Sequence, residues 1–188
     1  MLFRSDADII GTGDDVGGLI GHQNLGTVTR CSATGSAIGA NHVGGFCGYT
    51  IGGTWAESYA IVEINASGTC AGGMVGYQAS GTITNCYARG NVIGAAGNGG
   101  FVGDCRGTVV NCYSTGAVSA GVMYYGGFVG YFDMAATATD CFWDVETSGR
   151  SMSDAGTGKT TAEMMQQSTF TSWDFTSIWG VVENVDYP

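Results

Sequence analysis

Acid–base, metal and phosphate chemistry each require particular residues at particular spacings, and this 188-residue chain supplies few of them. Two carboxylates that share acid and base roles must converge on one bond. Asp104 and Asp133 each fall just after a short apolar run in neighbouring stretches, with Arg106 as the one basic companion at a matching position. The other central acids, Glu57, Glu63 and Asp140, show no common spacing. His22 and His42 stand apart from any cluster at metal-ligand spacing, and no CxxC occurs, so no metal site is expected. Asp14 and Asp15 in GTGDD lack the alternating oxygen ligands of a calcium loop. GTGKTT at 156–161 invites a phosphate-loop reading, but that loop needs a glycine where Ser153 stands. The expectation there is a turn entering a short helix, with Thr160 and Glu163 forming a capping box, and no nucleotide. No catalytic residue and no cofactor are expected.

Cysteine and aromatic residues carry more pattern. Seven cysteines leave at least one unpaired within the chain. Cys47, Cys86, Cys112 and Cys141 sit where small buried residues recur, and the expectation is reduced core thiols. Cys70 and Cys105 fall between runs, at expected corners, and are the candidates for a disulfide or an exposed thiol. Tyr59, Tyr87, Tyr113 and Phe142 form a recurring aromatic position. Rings stacked outward either stabilise their neighbours or present a surface to sugars or proteins. Tyr59, Tyr87 and Tyr113, with Trp173 and Trp179, are the candidate interaction surface. Asn65-Ala66-Ser67 is a glycosylation sequon.

These residues recur because the chain repeats. Gly-Gly pairs begin at Gly17, Gly44, Gly72, Gly99 and Gly126, and each opens GG, two apolar residues and another glycine. The spacing is 27 or 28 residues throughout. Downstream, one column holds Val28, Trp55, Ile83, Val109 and Ala138; three residues on, another holds Cys31, Ser58, Cys86, Cys112 and Cys141. The apolar runs are short, β-branched or aromatic, and bounded by glycine. Helices need longer runs of 3.6-residue periodicity, and 34 glycines oppose them at about 1 kcal/mol each. Propeller blades need about 40 residues. The remaining architecture is all-β: a parallel three-sided β-solenoid of about five 27-residue coils, stacked about 4.8 Å apart, with glycines supplying positive φ at the corners.

The stretch GGMVGYQASGTITNCYARGNVIG resembles the GLUG motif, whose Gly-Leu-x-Gly core matches GLIG at 18–21. The tail from Cys141 to Gly180 is similar to the segment that closes GLUG arrays. The resemblance implies secreted or surface-anchored bacterial proteins, adhesin-like, with β-helical stalks and no catalytic residues. Copy two, with Trp55 and Ser58, and copy five, which lacks the Gly-Thr turn, depart most from the pattern.

Three regions follow: a lead-in or partial coil at 1–15, repeats at 16–141 and a C-terminal cap at 142–188. The net charges of the three are −3, −2 and −5, within a total of −10. No basic stripe serves nucleic acid or an anionic membrane, and no apolar run is long enough to span a bilayer. The cap should hold one short helix at 160–167 and strands at 170–175 and 178–182. It should pack on coil five through Trp143, Phe170, Trp173, Phe175 and Trp179. The first coil should present unpaired strand edges to a neighbouring chain or coil. The expected function is a non-catalytic, extracellular or cell-surface structural module, adhesin-like. The alternatives are a self-assembling filament subunit and a carbohydrate-binding or carbohydrate-active β-helix. The partners in view are a second copy, glycans or cell-surface proteins.

Overall fold

The computed structural model describes residues 3–119 and 121–188. It is a parallel β-solenoid of about five turns. A representative turn runs Val43–Gly44, Cys47–Ile51, Thr54–Ala56 and Tyr59–Ala66. Each strand pairs in parallel with its equivalent one coil away, so the described residues form three five-stranded sheets and one eight-stranded sheet. The coil therefore has four strands where three sides were expected. The Gly-Gly pair is the reason. It ends one strand and turns the chain into the next within four residues.

Those glycines answer to backbone crowding and not to positive φ. A Cβ on Gly72 would overlap the carbonyl oxygen of Val75, and one on Gly73 would overlap the carbonyl oxygen of Gly100. A Cβ on Gly76 would strike the backbone of His42. The left-handed corners are instead built largely from residues that tolerate them less readily: Arg30, Glu57, Asn85, Asn111 and Asp140 occupy one corner column, all with φ between 50° and 54°. The corner expectation is thus corrected for the motif glycines. It holds at Gly26, Gly53 and Gly81.

The interior follows the columns. Cys47, Val75, Val102 and Val129 stack through paired strands, and so do Trp55, Ile83 and Val109. All are buried, and the Phe101 and Phe128 rings stack at 4.9 Å. Trp55 does not break the register: its indole lies 5.4 Å from Phe46, and Gln23 Oε1 accepts its N–H. Ala138 likewise keeps register with Val109. Copies two and five are therefore regular coils. Ser58, Cys86, Cys112 and Cys141 line the interior as expected, with Cys31 half-buried at the open end.

The two ends differ. Phe3–Ile10 pairs with Cys31–Gly39 over eight residues, a single strand of a preceding turn. Beside it the outer edges of Val16–Gly17, Ile20–Asn24 and Thr27–Thr29 have no strand partner among the described residues. At the other end the chain straps across the last coil. Ser153 Oγ accepts the amides of Phe128 and Val129, Gly127 donates to the Met152 carbonyl, and Thr157–Lys159 pairs with Phe142–Asp144.

The tail corrects two expectations. The helix at 160–167 is one α-turn, Thr161–Met164, followed by a 3₁₀ turn, Gln167–Thr169; the Thr160–Glu163 capping box is present. A further α-turn, Val145–Ser148, is capped by Asp144. Residues 170–175 and 178–182 form turns and irregular backbone, not strands. Thr157–Lys159 already occupies the free sheet edge, so the tail has no backbone ladder to join. It folds back over the outer face of the eight-stranded sheet and is held by side chains. Trp143 remains with the main core, whereas Phe170, Trp173, Phe175 and Trp179 form a separate cluster with Tyr113 and Met164. The cap on coil five is thus divided between an end strap and a flank.

Candidate functional sites on the two solenoid flanks

Strand alternation and in-register stacking place one side-chain type above another on each outer face. On the eight-stranded sheet this makes the aromatic ladder. Tyr59 and Tyr87 stack at 4.8 Å and 2°, and Tyr87 and Tyr113 at 5.1 Å and 14°. The tail then covers the upper rungs. Trp173 and Trp179 pack at 4.3 Å with their rings tilted by 33°, and Tyr113 is wholly buried beneath them. Three of the five candidate interaction residues, Tyr113, Trp173 and Trp179, are therefore packed in an intramolecular cluster, and of these the edge of Trp179 reaches a surface cleft.

Polar groups pin this cluster. Arg89 donates to the Tyr113 hydroxyl at 2.7 Å and to the Pro188 carbonyl at 3.3 Å, and its guanidinium lies 5.0 Å from the Tyr87 ring centroid. The buried Asp144 accepts the amides of Glu146 and Thr147, the Thr161 hydroxyl at 2.7 Å and the Tyr187 hydroxyl at 2.8 Å. Burial pushes the Tyr113 hydroxyl well above the ordinary tyrosine value. Burial, and then the hydrogen bond to Asp144, raise Tyr187 to about 12. What stays open is a cleft of about 310 Å³ between Tyr59, Tyr87, Asn85 and the edge of Trp179.

The opposite flank, on the sheet through Cys47–Ile51, went unread in the sequence. Its outward row is His22, Tyr49, Tyr77, Asp104 and Tyr131. Beside it runs a corner column of Asp15, His42, Cys70, Gly97 and Tyr124, all at positive φ. Asp15 places one oxygen 2.9 Å from His22 Nδ1 and the other 2.8 Å from His42 Nδ1. A carboxylate only accepts, so both imidazoles carry their proton on Nδ1. Partial burial raises the Asp15 pKa, and the two histidine hydrogen bonds and charges outweigh it, leaving the group below its ordinary value. Tyr49 and Tyr77 stack at 5.0 Å and 7°. At coil four, where the row has Asp104, the Arg106 guanidinium takes the vacant rung: 5.0 Å from Tyr77 and 5.9 Å from Tyr131, held by Asp104 at 3.0 and 3.1 Å. Aromatic residues recurring directly after GG-x-x-G were the available signal.

The remaining candidates resolve individually. Asp104 is opposite Tyr131, not Asp133, and Asp133 caps the Ala135 amide, so the two acids do not face a common point. All seven cysteines are free thiols. Cys105, expected at a corner, points inward and is buried, with burial raising its pKa to about 12; Cys70 is half-buried in the corner column. The corner reading is corrected for Cys105, because its position in the strand aligns with the inward Gln78. Lys159 lies 3.5 Å from Glu163 in the capping turn. Asn65 of the sequon is exposed. Among the described residues no group of three or more His, Cys, Asp or Glu forms a metal-sized cluster, and no helix is long and apolar enough to cross a membrane.

Comparison with known proteins supplies the family. The model described as "The GLUG motif" matches residues 12–38 and 67–93, each one turn of the solenoid. The chain is 34% identical over 138 residues to a Gly-rich membrane protein of Evansella cellulosilytica, covering 70% of this chain and 13% of that protein. It is 37% identical over 125 residues to halomucin of Haloquadratum walsbyi, covering 54% of this chain and 1% of that protein. The chain thus spans a small fraction of the relatives it matches. No solved structure matches it. With the motif matching the first and the third coil of one parallel stack, this chain carries GLUG-motif repeats, wound as a β-solenoid.

Proposed function

We propose that this chain is a non-catalytic structural module of a cell-surface or extracellular repeat protein, of the adhesin-like kind. One observation carries the reading: about five coils stack in parallel, in-register sheets, a form suited to a rod-like structural module. The names of the two similar proteins, one a membrane protein and one a halomucin, support a surface location, and both are far longer than this chain. Protease treatment of intact source cells tests the location. Loss of the protein from whole cells while a cytosolic control survives supports the reading; full protection in intact cells with digestion after lysis rejects it.

A second reading is end-to-end assembly of copies. Phe3, Leu19, Ile20 and Val28 line an apolar cleft at the open end, and unpaired edges template another strand. The strap at the opposite end opposes head-to-tail stacking. Electron microscopy of the concentrated protein decides between them: filaments establish assembly, and isolated short rods eliminate it.

A further inference from the structure

We propose that the cleft beside Gly97 binds one pyranose ring of a neutral glycan. The cleft arises where one coil carries Gly97 beside an Asp104 rung that Arg106 partly fills. In the outward row, Asp104 stands where neighbouring coils carry Tyr77 and Tyr131. In the corner column, Gly97 stands where they carry Cys70 and Tyr124. The space they leave is about 380 Å³ and is lined by Gly97, Asp104, Arg106, Met123, Tyr124 and Tyr131. That is near the lower end of small-molecule pockets, which matches one sugar ring and not a longer buried chain.

The lining is chemically mixed in the way a sugar requires. A pyranose has an apolar C–H face and a rim of hydroxyls. Tyr124 and Tyr131 meet edge to face, 5.3 Å apart at 79°, so one ring offers its face as a platform while the other forms a wall. The electron-rich face of an aromatic ring attracts the electropositive C–H groups. Asp104 and Arg106 supply the rim contacts. The ion pair uses Nε and one terminal nitrogen of Arg106, and Nη1 makes no hydrogen bond among the described residues. Each Asp104 oxygen accepts one bond from Arg106 and retains a second lone pair. A vicinal diol can accept from Nη1 and donate to the carboxylate.

Charge selects among ligands. Arg106 is committed to Asp104, and the chain carries −10, so an anionic glycan finds no free cation in the lining. A quaternary ammonium would meet the guanidinium already lying over Tyr77 and Tyr131. A neutral polyol avoids both conflicts. Tyr124 and Met123 are exposed, which leaves the cleft open from the side and lets a chain continue past the bound ring.

Affinity electrophoresis of the full chain through gels containing mannan, dextran, hydroxyethyl cellulose or alginate tests this. Retardation by at least one of the three neutral polymers is expected. Tyr124→Ala, an exposed change, and Gly97→His should each weaken it roughly tenfold, the scale of one lost stacking contact. Gly97→His should fold, because His42, Cys70 and Tyr124 occupy the same column at positive φ; an unchanged thermal midpoint checks this. Tyr59→Ala, on the opposite flank, should bind like the parent. The proposal fails if no neutral polymer retards the protein, if alginate alone does, or if folded Gly97→His or Tyr124→Ala binds unchanged. Loss of binding in Tyr59→Ala would also overturn it, by moving the site to the other flank.

Discussion

The two flanks of the solenoid begin from the same device and end differently. Each displays stacked tyrosines one coil apart, at 4.8 and 5.1 Å on one side and 5.0 Å on the other. On the first flank the tail lies over the ladder, so its upper rungs became a second hydrophobic core. On the other the ladder stays in solvent, interrupted at coil four by an ion pair and ended by a shared Asp15–histidine contact. A row of stacked aromatics is therefore not in itself a binding surface. Whether it binds outward or inward depends on what covers it.

That contrast can be broken most forcefully at Trp173. Trp173→Ala removes the centre of the covered cluster, and large-to-small changes of this kind cost about 3–5 kcal/mol. Denaturant titration should show the tail undocking in a separate early phase while far-ultraviolet signal from the coils persists. A single unshifted transition would mean that the tail is not held by this cluster. The matching change on the open flank, Tyr77→Ala, removes stacking without opening a cavity and should cost only about 1 kcal/mol in the same titration. Equal losses on both flanks would erase the distinction between covered and exposed ladders.

Alkali sharpens the comparison without mutation. Tyr113, Tyr87 and Tyr187 have pKa values raised in the fold, chiefly by burial. The stability they contribute is complete below the ordinary tyrosine value near 10 and is lost as pH rises through their folded values, about 12 for Tyr187. The tail should therefore loosen between about pH 10 and 12, seen as increased tryptophan exposure to a soluble quencher, before the coils unfold. Unaltered quenching across that range would contradict it.

The smallest effect belongs to the open flank. Asp15 has a depressed pKa, so its contribution is present above the ordinary carboxylate value of 3.8 and is lost as pH falls through its lower folded value. The site is largely solvated, and exposed pairs are worth about 0.2–1 kcal/mol. Asp15→Asn should accordingly lower stability slightly at neutral pH and flatten the acid limb below about pH 4. An acid limb identical to that of the parent would show that the histidine contacts add nothing.

Much of the site geometry was legible where it followed the period, and little where it did not. The Tyr59, Tyr87, Tyr113 and Phe142 column was readable by subtraction, as were the buried Ser58, Cys86, Cys112 and Cys141. The row of Tyr49, Tyr77 and Tyr131 obeys the same period, but Asp104 interrupts it and hides the pattern. Cys105 looked like a corner residue because the strand containing it, Val102–Cys105, runs three residues beyond the apolar Phe101–Val102. The expected strands at 170–175 and 178–182 rested on aromatic composition, which in fact marks side-chain packing against a ladder.

The sequence by itself determined the coil. A residue recurs over its equivalent one period away, and in-register parallel stacking turns a linear spacing directly into a contact. That makes the sheets, the interior columns and the outward rows properties of the repeat. The tertiary structure alone decided the rest: four strands to a turn, the strap across one end, the tail over one flank and Arg106 between two tyrosines. Arg89 meets Pro188 across 99 residues, and Asp144 meets Tyr187 across 43. Such contacts share no period. They depend on how sharply each glycine-crowded turn bends and on which aromatic face remained uncovered when the tail emerged, and both are set by packing in three dimensions.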